Sequence, residues 1–216
     1  MFKKICLFLA TSLFFSKIIM TADNDSSIVI RLAEPRDINE LIRVDRVVTY
    51  EYFEPIFVQA YAQYDFGQHP RYYIELDLAA DKEFFKTFFD QPHPTTKILV
   101  AEYNHTHIAG YAIISLINTH ETELEHLYVE KEFRGKHVGK KLVQQALKIF
   151  PNITACNLYT MQTTLNASTH KFYEKMGFKN MGPAPITCPH TYYDVSYHDV
   201  FYWYRYELTF TFFSIK

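Results

Sequence analysis

Residues 125–150, EHLYVEKEFRGKHVGKKLVQQALKIF, run from an apolar stretch through a basic turn into an amphipathic segment. A strand ends at Val129, a short loop carries Arg134, Gly135 and Gly139, and the periodicity predicts a helix from Val138 to residue 150. A strand feeding a helix through a glycine-bearing loop belongs to layered α/β architectures rather than to all-β or all-α ones. The junction also has a chemical consequence. Glycines let neighbouring backbone N–H groups turn inward together as a nest for an anion. The helix N-terminus adds its free amides and its dipole at the same point. Arg134, Lys136 and Lys140 contribute positive charge, so the stretch suits a diphosphate. An ordinary basic turn between a strand and a helix has the same spacing.

Elsewhere the chain alternates in the same way. SIVIRLAEP (27–35) reads as a strand, with Asp37 placed to cap the following helix, which the pattern carries to Pro55. Residues 56–93 are aromatic-rich and predict helix in two pieces, broken near Gly67 and Pro70. Strands follow at 97–104 and 107–118, joined by NHTH, and then at 121–130. Beyond the glycine loop come a strand at 153–162, a helix at 166–178 closed by Gly177, and a strand at 201–213. No internal repeat or linker interrupts residues 27–216, so they are read as one mixed α/β domain.

Composition excludes some classes. A net charge of −2 without a basic face leaves no footprint for nucleic acid. The 48% hydrophobic content supports a true core, and 17 Tyr with 19 Phe imply an aromatic core or an aromatic-lined pocket. Neither the three Cys nor the ten His have zinc spacing, and no metal is expected. Residues 1–26 stand apart. Lys3 and Lys4 precede an apolar run from Ile5 to Phe15, the layout of a signal peptide, with an uncleaved anchor or a misassigned start as alternatives. Export or inner-membrane attachment is expected if this leader functions, and a cytoplasmic location otherwise.

Two stretches carry a resemblance. LYVEKEFRGKHVGKKL is similar to the acyl-CoA signature of the GNAT superfamily of N-acyltransferases: Arg or Gln, two residues, Gly, any residue, then Gly or Ala. NASTHKFYEKMGF resembles that superfamily's second signature, an Asn seven residues before a Tyr and a Gly-Phe pair after it. The signatures lie in family order, and the resemblance covers roughly residues 28–210. It implies a GNAT-like fold, a mixed central sheet flanked by helices, and acetyl transfer from acetyl-CoA to an amine acceptor. Backbone groups at Leu127, Tyr128 and Val129 would then bond the pantetheine arm. The loop from Arg134 through Gly135, Lys136, His137, Val138 and Gly139 to Lys140 would hold the diphosphate. Asn166 would help to place the arm, and Tyr173 would be the acid for the departing thiolate. One departure stands out: the family's first glycine falls at His137, where a side chain crowds the anion or strains the backbone.

An attacking amine must shed a proton. Alternation places Glu123 and Glu125 on one strand face, and they are the candidate bases. For the acceptor wall, TYEYFEPIFVQAYAQYDF (49–66) interleaves aromatics with Glu51, Glu54 and Asp65, which suits a cationic amine. The alternative of a different class is a noncatalytic fold-mate that binds CoA and serves as a sensor or interaction module. Asn24, Asn104, Asn152 and Asn166 all stand in N-x-[ST] sequons, and a glycan on Asn166 would obstruct the cofactor. The expected setting is therefore bacterial-type rather than a glycosylating lumen.

Overall fold

The structure, a computed structural model, describes residues 27–61, 70–91, 93–161, 164–184, 191–192, 195–196 and 201–208. The leader, Asp65, Gly67, Cys188 and His190 lie outside the described residues. Strand β1 (Ile28–Leu32) is followed by helices α1 (Ile38–Val48), α2 (Glu54–Tyr61) and α3 (Pro70–Phe88). A meander then forms from β2 (Thr96–Tyr103), β3 (His107–Leu116) and β4 (Glu121–Val129). Helix α4 (Val138–Ala146), β5 (Ala155–Met161), α5 (Ala167–Lys175), β6 (Lys179–Pro183), a small hairpin of β7 (Thr191–Tyr192) and β8 (Val195–Ser196), and β9 (Phe201–Glu207) complete the order.

Seven strands make one sheet in the order β1-β2-β3-β4-β5-β9-β6. Its two faces bury separate cores. One packs Leu41, Val44, Val48 and Phe85 of α1 and α3 against Val100, Tyr111 and Ile113. The other packs Val138, Leu142 and Val143 of α4 with Tyr173 and Phe178 against Leu99, Ala112 and Leu158. The apolar stripes of α1 and α4 create these layers, because a helix with one apolar face has to cover a sheet face.

Three local expectations are revised, and one strand goes unannounced in the sequence. The first helix does not stop at Pro55: a π-helical turn, Thr49–Phe53, links α1 to α2, and Pro55 sits in the first turn of α2, where no N–H partner is needed. Asp37 does not cap α1 with its side chain; its carboxylate accepts from Glu34 N (2.8 Å) and pairs with Arg31 (2.7 Å). Helix α4 ends four residues early, at Ala146. Strand β6, in KNMGP, has no alternation to announce it and exists by pairing with β9.

The pairing of β4 matters most. It is antiparallel to β3 throughout but parallel to β5 only over Glu121–Glu123 against Ala155–Asn157. Beyond Glu123 the two strands diverge. Within β4 the register against β3 slips: Ile113 faces His126, whereas Ile114 faces Leu124. Glu125 is the extra residue of a β-bulge.

Candidate active site

Where β4 and β5 part, a cleft of about 960 Å³ opens, with β4 and the start of α4 on one side and β5 with α5 on the other. Among the described residues no strand pairs with that edge of β4 past Glu123, which leaves room beside it for an extended, amide-bearing chain. Every residue expected to hold the cofactor lines this cleft except Lys136 and Asn166. Lys136 lies over the Phe133 ring, 5.4 Å from its centroid, on a separate smaller hollow.

Two residues of the glycine loop take a left-handed backbone. Gly135 has φ +77° with open space where a Cβ would stand, and His137 adopts φ +61° at the N-cap of α4. The substitution at the family's glycine position thus keeps a left-handed backbone, at a cost of about 1–2 kcal/mol for a residue with a Cβ. Its imidazole is exposed, lines the cleft and makes no capping hydrogen bond to the α4 amides. His137→Gly is expected to keep the fold and to leave stability unchanged or raise it by up to about 1 kcal/mol, since relief of strain is offset by the freer unfolded chain. The anion affinity should be equal or higher. Calorimetry with CoA and a thermal melt check this; a large loss of affinity would make the imidazole a ligand.

Arg134 does not point along the loop. Its Nε donates to the Val129 carbonyl (2.8 Å) and its guanidinium lies over the Tyr52 ring, 4.7 Å from the centroid. Tyr52, from the π-helical turn, hydrogen-bonds to Thr169 of α5 and donates to Asn166 Oδ1 (3.4 Å).

On the opposite wall Tyr173 is buried among Phe172, Phe178 and Tyr204 and lines the cleft. Burial, with smaller contributions from Tyr52 and Cys156, pushes its hydroxyl well above the usual phenol range, so it stays protonated. Among the described residues its hydroxyl makes no hydrogen bond. Asn166, by contrast, is a strut. Its Nδ2 donates to Thr160 Oγ1 (2.6 Å) and to the Met161 carbonyl (3.0 Å), which pins the end of β5 to the start of α5. His170 donates from Nε2 to the same Met161 carbonyl (3.1 Å). Its Nδ1 therefore accepts from Tyr204 (2.9 Å), whose oxygen accepts from Asn180 (3.1 Å).

The far end of the cleft is acidic. Asp77, Asp81, Glu125, His126 and Tyr128 line it, while Arg134, Lys140 and Lys175 line the other end. Asp45, beneath this wall, brings a carboxylate oxygen within 4.8 Å of ligand atoms on Asp81 and His126. Burial raises Asp45 to about 7, helped by Asp81 and Asp77 and opposed by a 2.8 Å hydrogen bond from Tyr111. Burial also raises Asp81 to about 6 and Glu123 to about 7, in both cases with the charge of Glu125 adding. Since Tyr111 gives its proton to Asp45, its oxygen accepts from His126 Nδ1 (3.3 Å). Burial lowers the His126 pKa and favours the neutral ring.

Two expectations about carboxylates are corrected here. Glu123 and Glu125 do not share a face, because the bulge inserts Glu125 and breaks the period of two. Glu123 pairs with Ser115 and Asn157 and stays off the cleft, while Glu125 is exposed in it. Nor do Glu51 and Glu54 supply the acidic wall: Glu51 is exposed and does not line the cleft, and Glu54 pairs with Arg71 (3.5 Å). The acids come from α1 and α3 instead. Asp77 and Asp81 are four residues apart in RYYIELDLAADKEF, a spacing that puts both on one helix face and was the available signal.

Comparisons with known proteins agree with this geometry. A family model described as the acetyltransferase (GNAT) family matches residues 51–178, more than half of the chain. Human N-acetylaspartate synthetase is 29% identical over 114 residues, which cover 52% of this chain and 37% of that protein. The chain thus spans little more than a third of that relative. An uncharacterized N-acetyltransferase of Methanocaldococcus jannaschii is 28% identical over 122 residues, covering 51% of this chain and 77% of that one. Among solved structures, the PaiA N-acetyltransferase of Thermoplasma acidophilum in complex with coenzyme A aligns with a TM-score of 0.58 at 24% identity. That alignment covers 84% of this chain and 99% of the other. A GNAT-family acetyltransferase of Staphylococcus aureus aligns at 0.60 with 18% identity, covering 85% and 100%. The structural likenesses show the fold.

Proposed function

Because the chain belongs to the acetyltransferase (GNAT) family, we propose that it transfers an acetyl group from acetyl-CoA to a primary amine that enters as a cation. The observation that carries this reading is the polarity of the cleft. Its basic end, where the edge of β4 leads to a helix N-terminus, suits the pantetheine and diphosphate of CoA. Its acidic end suits an ammonium group beside the aromatic faces of His126 and Tyr128. A relative bound to coenzyme A and others named as N-acetyltransferases support the donor and the reaction.

In the proposed reaction the amine first loses a proton to the Asp81–Glu125 wall. Its nitrogen then forms a bond to the thioester carbonyl carbon, the C–S bond breaks as the sulfur takes the proton of Tyr173, and the nitrogen's surplus proton returns to the tyrosinate as the amide forms. Backbone amides of β4 near the bulge are the donors proposed for the oxyanion. With His137 holding the loop backbone in the nest conformation, the departure from the family pattern does not argue for a noncatalytic module.

Two measurements test the proposal. An acetyl-CoA turnover screen with the full chain should find cationic amines acetylated and L-aspartate refused, since an acidic wall repels a dicarboxylate; preferred turnover of aspartate would contradict the assignment of the wall. Secondly, kcat/KM should fall as pH drops from about 7 through 6, as the wall takes up protons and can no longer accept one. Glu125→Gln removes the charge that adds to the rise of Asp81, so the acid limb should move to lower pH. A profile that stays flat between pH 6 and 8 would rule the wall out as proton acceptor.

A further inference from the structure

Tyr52 and Arg134 hold an arrangement that the acetyl transfer does not account for. The slot between the diverging strands is bridged by these two side chains. Arg134 comes from the β4–α4 loop, and its Nε caps the carbonyl of Val129, the last residue of β4. Its guanidinium rests on Tyr52, which reaches over from the π-helical turn. The Tyr52 hydroxyl hydrogen-bonds to Thr169 and lies 3.5 Å from Ser168 Oγ, both on α5, the opposite wall. Together the two residues tie the walls to each other, and all four side chains line the cleft.

The arrangement is incomplete in one respect. Arg134 Nη2 is shut off from solvent and has no acceptor among the described residues. A buried donor on a charged group is costly to leave without a partner, and among the described residues this nitrogen is the side-chain atom shut off from solvent that has none. π-helical turns, the origin of Tyr52, are rare and concentrate at functional sites.

We propose that Tyr52 and Arg134 form a strap over the slot for the pantetheine arm, and that Arg134 Nη2 is the donor reserved for an acceptor oxygen of that arm. Arg134 is then a binding residue for the amide-bearing chain and not for the diphosphate. The α4 amides and Lys140 lie further along the loop and serve the diphosphate. Tyr52 is the positioning residue, because its ring sets the plane of the guanidinium and its hydroxyl anchors the strap to α5. The inference rests on the CoA reading above.

The experiment separates the two halves of the cofactor. Dissociation constants of the full chain and of Arg134→Ala are measured for acetyl-CoA, for acetyl-pantetheine, and for 3′-phosphoadenosine 5′-diphosphate. A hydrogen bond from a charged donor is worth about tenfold to a hundredfold in affinity. The variant should lose that factor equally for acetyl-CoA and acetyl-pantetheine, with the nucleotide fragment unaffected. Loss confined to acetyl-CoA and the nucleotide would overturn the inference, since Arg134 would then serve the diphosphate. Unchanged constants for all three would overturn it as well. Tyr52→Phe, which keeps the ring and deletes the tie to α5, should weaken acetyl-pantetheine by a smaller factor while the nucleotide again binds normally. Equal circular dichroism spectra and melting temperatures show that the variants fold. If the unaltered chain binds neither acetyl-CoA nor its fragments, the CoA reading itself fails and this inference with it.

Discussion

Tyr173→Phe is expected to lower kcat for acetyl transfer by about 10²–10⁴-fold, the range for losing a positioned acid. The substitution keeps the ring that packs against Phe172, Phe178 and Tyr204 and removes only the hydroxyl. Packing and CoA affinity should therefore survive. Two features suit the phenol to this role: burial keeps it protonated, and its hydroxyl makes no hydrogen bond among the described residues, so it competes with no internal acceptor. The loss should sit in kcat rather than in KM, because the proton is needed only as the thiolate departs. Wild-type kcat in the Phe variant, under conditions where chemistry limits the rate, would remove Tyr173 from the mechanism.

Gly110→Ala should be the most damaging small substitution for the site that lies away from its chemistry. Gly110 pairs with Val129 across β3 and β4, and a Cβ there would stand 2.4 Å from the Tyr128 carbonyl oxygen and 3.1 Å from Val129 Cα. Both obstacles are backbone, so β4 itself has to move. Overpacking of this kind costs roughly 1–3 kcal/mol. For a chain of this size that corresponds to a fall in Tm of about 2–4 °C per kcal/mol. The displaced segment, 128–129, lines the cleft and carries the carbonyl that Arg134 caps. Affinity for CoA should fall together with Tm, which separates this variant from Gly139→Ala. There the added Cβ meets only side chains at 3.5 Å and beyond, and both quantities should hold. A Gly110→Ala protein with the melting temperature and CoA affinity of the wild type would show that β4 yields at no cost.

Much of the fold was legible because its signals are local. The apolar periods of α1 and α4, the turn at NHTH, where Asn104 and His105 both take positive φ, and the end of α5 at Gly177 are properties of short windows. The same holds for the loop at 134–140: a strand end, two glycines and a basic helix start are adjacent in the chain, and their joint effect needs no partner from elsewhere. Strand β6 was not legible, since KNMGP has neither alternation nor β-branched residues and is held by its neighbour β9.

The acid wall shows where such reading ends. By itself the sequence determined the order of strands and helices as far as α5, the glycine-bearing turn at 134–140 and the Asn-to-Tyr spacing of residues 166 and 173, because each depends on backbone geometry within a few residues. Only the tertiary structure decided which carboxylates act together. Asp45, Asp81 and Glu125 are distant along the chain and meet because α1 and α3 pack on the sheet face beside β4. It also decided that Glu125 enters the cleft while Glu123 does not. That outcome depends on one slipped residue in the β3–β4 register, and register is set by packing across the whole sheet. Divergence of β4 from β5, and the reach of Tyr52 from a π-helical turn to Arg134, follow from the same cause: they are relations between elements, and no window of the chain contains both partners.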